Sequence, residues 1–127
     1  MILDTDLVVW MLRKHPRALH FADKVKREER HLSCVSHLEL LDGCRDSNQL
    51  KDLRELIEGW FSEVVPLTPT ASSTAVTLME KYALAHRPDA PDVLIAATAL
   101  DRREPLATGN PKHYRFIPGL AIKAFRP

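Results

Sequence analysis

Apolar and polar positions alternate along the chain in short blocks, each one strand or one helix long. Met1-Ile2-Leu3, ending at or just before Asp4, is an apolar run short enough for a buried strand. Leu7, Val8, Met11 and Leu12 then recur at helical spacing. Pro16 stands where a second helix would begin, with Ala18, Phe21, Ala22 and Val25 in register behind it. His31 to Val35 predicts a second strand, and Ser36 a helix cap with the helix running to about Cys44. Another helix begins at Ser47 or Asn48, carrying Leu50, Leu53, Ile57, Trp60 and Phe61 on one face. Val64-Val65 is a third strand. Thr68-Pro69 opens a long helix through Ala75, Leu78, Met79 and Tyr82. The stretch Asp89-Ala90-Pro91-Asp92 opens the last helix, with Val93, Ala96, Ala97 and Leu100 in register. Pro105 to Ala107 and Ala121 to Phe125 complete the strands.

Strands that alternate with helices predict an α/β fold: a mainly parallel sheet with helices on both faces. The chain shows no linker, repeat or low-complexity tract, so residues 1–127 are expected to form one domain. At 45% hydrophobic and 28% charged the composition is that of an ordinary globular protein able to build its own core. No apolar run has the length of a membrane span, and no signal-peptide pattern is present, so a cytoplasmic location is expected. Cys34 and Cys44 lack metal-ligand spacing and read as idle thiols. The net charge of +1 excludes a polycation, but Arg13 to Arg30 holds seven basic residues against three acidic ones. That stretch is either a phosphate-binding surface or a solvated helix face.

In parallel sheets ligands sit beyond the carboxyl ends of the strands. The residues at those places are Asp4-Thr5-Asp6 after the first strand, Ser36 and Glu39 after the second, and Thr108-Gly109-Asn110 after the fourth. Asp92 opens the preceding helix. Each acid has a structural alternative. Asp4 suits an N-cap; Ser36 with Glu39 matches a capping box; Asp92 suits the first turn of a helix; Asp6 either joins the cluster or starts a helix. Their common edge is what points to function. Carboxylates gathered there repel one another unless a cation intervenes, and oxygen-only ligands select hard ions such as Mg²⁺ or Mn²⁺. Such sites hydrolyse phosphodiesters with an activated water. Asp42 and Asp101 lie off this edge. His113 and Tyr114 offer a base or a stacking ring, or else a surface loop with one aromatic packed inward.

Four segments together resemble the PIN-domain nucleases, and within them the VapC-type toxins. They are Met1-Ile-Leu-Asp4-Thr-Asp6, Ser33-Cys-Val-Ser36-His-Leu-Glu39-Leu-Leu-Asp-Gly43, Pro91-Asp92-Val-Leu-Ile-Ala-Ala-Thr-Ala-Leu100 and Leu106-Ala-Thr108-Gly-Asn110 through Gly119. The resemblance spans the chain, and Asp92 to Leu100 is its most specific part. It implies a three-layer α/β/α sandwich and a Mg²⁺- or Mn²⁺-dependent endoribonuclease that cuts single-stranded regions of RNA. It implies Asp4, Glu39 and Asp92 as catalytic metal ligands supported by Thr5, Ser36 and Thr108. It also implies a homodimer neutralised by a cognate VapB-like antitoxin. Asn110 stands where many members of that family carry a fourth acid, so one tightly held ion and a weak second one are expected, with Asp6 able to compensate.

Two competing readings make different demands. A haloacid-dehalogenase-like phosphatase would use Asp4 as nucleophile, but needs an acid pair directly after a further strand, which the chain lacks. A PIN-fold module with a decayed site would bind a partner without catalysis. A receiver-type signalling domain would need an acceptor Asp after the third strand, where Pro66-Leu67-Thr68-Pro69 stands.

Overall fold

The computed structural model describes residues 1–127. Its elements are β1 (Ile2–Leu3), α1 (Thr5–Leu12), α2 (Pro16–Asp23), β2 (His31–Ser33), α3 (Cys34–Asp42), α4 (Ser47–Trp60), β3 (Glu63–Val65), α5 (Pro69–His86), α6 (Ala90–Arg102), β4 (Leu106–Thr108) and β5 (Ile122–Ala124). Short 3₁₀ turns cover Arg27–Glu29 and Pro111–His113. The five strands form one sheet in the order β3-β2-β1-β4-β5, every pairing parallel. The three-layer α/β/α arrangement expected from the sequence is the one observed.

Alternate strand residues face opposite layers. Leu3, Leu32 and Ala107 point to the core shared with Leu7, Val8 and Met11 of α1 and Ala18 and Ala22 of α2. Ile2, Val65 and Leu106 point to the core built on Ile95, Ala96 and Ala99 of α6. Small residues let α5 lie close along α6, with Ala71 and Ala75 against Val93 and Ala97. No helix is long and apolar enough to cross a membrane.

The order of the sheet positions the site. The chain runs outward from β1 to β2 and β3, then crosses through α5 and α6 to the other side of β1. The gap between the ends of β1 and β4 is therefore the topological switch point, where open parallel sheets bind ligands. Asp4 ends β1, Thr108 ends β4, and Asp92 is brought by the crossover helix α6.

One predicted boundary is corrected. β2 stops at Ser33, not Val35, and Ser33 rather than Ser36 caps α3: its Oγ accepts from the Val35 N–H at 3.1 Å. The apolar Cys34-Val35 pair suits a buried strand or a buried helix turn equally well, and the serine just before it decides between them. Ser36 consequently lies inside α3, fully buried, and the Ser36–Glu39 capping box does not form.

The basic stretch also resolves. Arg30 is 8% exposed and donates to the carbonyls of Ala22, Val25 and Trp60; Arg27 donates to those of Glu58, Gly59 and Phe61. These two guanidiniums tie the C-terminal ends of α2 and α4 to the segment before β2, leaving only part of the stretch as free surface charge.

Candidate functional site

At the switch point Asp4 is 4% exposed. A buried carboxylate needs donors, and Asp4 has three. The Thr5 N–H reaches Oδ1 at 2.9 Å, the Thr108 hydroxyl reaches Oδ2 at 2.7 Å, and the Tyr114 hydroxyl lies 3.1 Å from Oδ1. Its N-cap role and its place in the cluster are thus compatible, because the Thr5 N–H uses only part of its acceptor capacity. Thr108 is fully buried and in turn accepts from the Asn110 N–H at 2.9 Å.

Asp92 lies in the first turn of α6, and its Oδ1 is 3.2 Å from the same Tyr114 hydroxyl. A phenol carries one proton, so Tyr114 serves two carboxylates with one donor. His113 Nδ1 lies 3.1 Å from Asp92 Oδ2 on the exposed side. Asp6 belongs to the cluster through its charge and through the β4 end. Its Oδ2 accepts from the Gly109 N–H at 2.9 Å and from the Asn110 amide at 3.0 Å, and its Oδ1 from the Leu7 N–H at 2.7 Å. Gly109 permits this approach, since a Cβ there would stand 2.5 Å from Asp6 Oδ2.

The electrostatics follow from burial and like charge. Burial pushes the Asp4 carboxyl up to about 6, with the neighbouring Asp6 charge adding to the rise against the hydrogen bonds from Thr108, Thr5 and Tyr114. Burial also raises Asp6, opposed by the Leu7 and Gly109 N–H groups. Asp92 is raised by burial and then by Asp4, opposed by Tyr114 and His113. Tyr114, buried beside two carboxylates, is raised far out of the physiological range and stays protonated.

Glu39 is placed differently from Asp4 and Asp92. It is exposed, and its Oε1 accepts from the Thr5 hydroxyl at 2.8 Å, while that hydroxyl lies 2.9 Å from Ser36 Oγ. Thr5 is its link to the cluster. No group of three or more His, Cys, Asp or Glu side chains is arranged to hold an ion by itself; Asp4 and Asp92 meet on the Tyr114 hydroxyl, and Glu39 joins them through Thr5. Asp101 is engaged elsewhere, accepting from the Thr68 hydroxyl at 2.7 Å, and Asp42 is exposed.

The donor set suits a hard divalent cation. Mg²⁺ commonly takes one or two carboxylates and completes its octahedron with water and substrate phosphate. Two carboxylates that meet on one hydroxyl, with upward-shifted titration and a third acid nearby, are a pair whose repulsion such a cation would relieve.

Tyr114, which the sequence offers as a stacking ring or an inward-packed aromatic, supplies instead the hydroxyl shared by two acids. It is fully buried, and a buried tyrosine hydroxyl calls for a polar partner. The available signal is a hydroxylated aromatic a few residues beyond a strand end, in the otherwise polar Pro111-Lys-His-Tyr-Arg115.

A family model described as the PIN domain matches residues 1–117. A toxin–antitoxin complex from Klebsiella pneumoniae is similar in structure, with TM-score 0.80 and 20% identity over 99% of this chain and 98% of that one. The DNA-bound VapBC of Salmonella typhimurium superposes with TM-score 0.81 and 22% identity over 97% and 96%. VapBC2 of Rickettsia felis, bound to a DNA fragment from its promoter, gives 0.81 and 20% over 98% and 97%. A sequence comparison with curated proteins gives no match.

Proposed function

The chain belongs to the PIN-domain family, and from that premise we propose that it is a metal-dependent endoribonuclease, the toxin of a toxin–antitoxin module. The observation that carries the reading is the meeting of Asp4 Oδ1 and Asp92 Oδ1 on the Tyr114 hydroxyl, at 3.1 and 3.2 Å, at the sheet's switch point.

In this reading Asp4 and Asp92 hold one Mg²⁺ or Mn²⁺, with Glu39 and Asp6 at the margin of the site. When bound, the ion supplies Lewis acidity toward the phosphodiester and an acidified water. The chain's own residues prepare the place. Thr108 and the Thr5 N–H fix the Asp4 carboxylate. Tyr114 sets its position relative to Asp92, and His113 orients the outer oxygen of Asp92. Asp6 holds the Gly109-Asn110 turn against the end of β1. Asn110 contributes an amide to Asp6 rather than a fourth charge, which favours one tight ion over two.

The phosphatase alternative lacks the acid pair it demands directly after a further strand: Pro66-Leu67 follows β3 and Gly109-Asn110 follows β4. Full-length similarity to chains from toxin–antitoxin complexes supports an antitoxin partner, and a homodimer is part of the same proposal.

The test is incubation of purified protein with end-labelled structured RNAs in Mg²⁺, Mn²⁺ or EDTA, with Asp92→Asn alongside. Discrete cuts with 5′-phosphate and 3′-hydroxyl ends, lost in EDTA and in the variant, are expected. Cyclic 2′,3′-phosphate ends would contradict the mechanism. Intact RNA in the presence of folded, metal-binding protein would favour the decayed binding module.

A further inference from the structure

Asp92 also lines a cleft of ≈ 290 Å³ walled by the end of α5, the start of α6 and the turn after β4, where Asp89 is the one further acid and Arg87 and Lys112 are the cations. Three observations mark it. First, its two side walls carry cations with no partner in the fold. Arg87 and Lys112 make no ion pair or side-chain hydrogen bond and face each other across the same cleft, so both are free to take one anion there. Second, Arg87 is held left-handed at φ 44°, ψ 53° as the C-cap of α5. That conformation costs an L-residue about 1–2 kcal/mol and is ordinarily left to glycine. Arg103 caps α6 in the same conformation, so the strain itself is not particular to the cleft; what is particular is that the α5 cap places its arginine on the cleft wall. Third, His86 and Phe116 stack there with ring centres 4.4 Å apart and planes 9° apart, and Tyr82 braces the Phe116 ring from its edge at 5.1 Å.

We propose that this cleft is the subsite for the single-stranded RNA on one side of the scissile phosphate. Arg87 and Lys112 take a backbone phosphate, and the Phe116–His86 stack takes an unpaired base. Paired cations beside a ring platform are how proteins hold single strands without reading their sequence. The placement also answers a problem of charge. One divalent ion neutralises the Asp4–Asp92 pair, but Asp6 and Glu39 at its margin keep the site negative toward a polyanion, and the cleft cations offset that repulsion where the strand enters. The proposal rests on the ribonuclease reading.

The experiment is anisotropy of a labelled random-sequence 12-nucleotide RNA, with Ca²⁺ replacing Mg²⁺, across a salt series. It compares wild type, Arg87→Gln/Lys112→Gln, Phe116→Leu, and a control, Lys24→Gln/Lys26→Gln, whose exposed lysines lie near the end of α2. The cleft double variant is expected to bind about ten-fold more weakly, with the salt slope reduced by about 0.7 for each phosphate left without its cation. Phe116→Leu is expected to lose roughly five-fold. The control should bind as wild type, and Mn²⁺ affinity should be unchanged in all four proteins. Unaltered RNA affinity in both cleft variants, or an equal loss in the control, would overturn the cleft. RNA cut normally by wild type and by both cleft variants would overturn it while leaving the nuclease standing. Cleft-dependent binding without any cutting would keep the subsite and remove the nuclease. Wild type that binds no RNA would overturn both.

Discussion

The Tyr114 hydroxyl, buried 3.1 Å from Asp4 Oδ1, joins the end of β1 to the turn that follows β4. It also reaches Asp92, so one side chain from outside the acidic set fixes the spacing of the two acids. Tyr114→Phe keeps the ring in the core and removes only the shared donor. We expect a folded protein with Mn²⁺ affinity lowered about ten-fold, as when other supporting partners of metal ligands are removed. Calorimetric titration beside near-ultraviolet circular dichroism checks this.

Asp4 links the site to stability. Its folded-state value, about 6, lies above its unfolded one near 3.8, so the folded chain binds the proton more tightly. Metal-free stability should therefore rise as pH falls from about 7 toward 4. Asp4→Asn should remove that rise and make the metal-free protein more stable at pH 7, by on the order of 1–3 kcal/mol, while abolishing cleavage. Thermal melts in EDTA across pH give the answer, and an Asn variant less stable than wild type at pH 7 would contradict the account.

Glu104 works in the opposite sense. Burial would raise it, but hydrogen bonds from Arg102, the Met1 amine and His31 outweigh that and hold it at about 2. Its contribution is present above the unfolded value near 4.5 and is lost as pH falls toward 2. With Asp4 gaining and Glu104 losing as pH falls, the metal-free protein should be most stable near about pH 4 and weaken below it. Glu104→Gln should lower stability at pH 7 and flatten the acid limb of the same melts.

Two glycines make a paired test. A Cβ added at Gly109 would stand 2.5 Å from Asp6 Oδ2, so in Gly109→Ala the Asp6 carboxylate must shift away from its bonds to the Gly109 N–H and the Asn110 amide. A loss of about 1–3 kcal/mol and most of the activity is expected. Gly59→Ala, inside α4 with open space around it, should instead stabilise by about 0.5–1 kcal/mol. Denaturant titration of both variants separates a local clash from a general effect of the substitution.

The sheet, the helices and the site edge are legible in the sequence because periodicity and strand-end acids carry that information directly. Asp4 and Asp92 can be placed from topology alone. The end of β2 cannot, because Cys34 and Val35 are apolar in either conformation and only the Ser33 cap separates strand from helix. The position of Glu39 depends on the rotation of α3 and on a bond to Thr5, neither of which has a sequence period. Tyr114 reads in sequence as either a stacking ring or an inward-packing aromatic, but its two partners lie on distant segments that only the folded sheet brings together.

The most direct test of the carboxylate pair is Mn²⁺ titration of the wild-type protein against Asp4→Asn, Asp92→Asn and Glu39→Gln. The account predicts one tight ion per chain at saturation, lost in either Asp variant and weakened only modestly in Glu39→Gln. Two tight ions, or tight binding that survives Asp92→Asn, would contradict it.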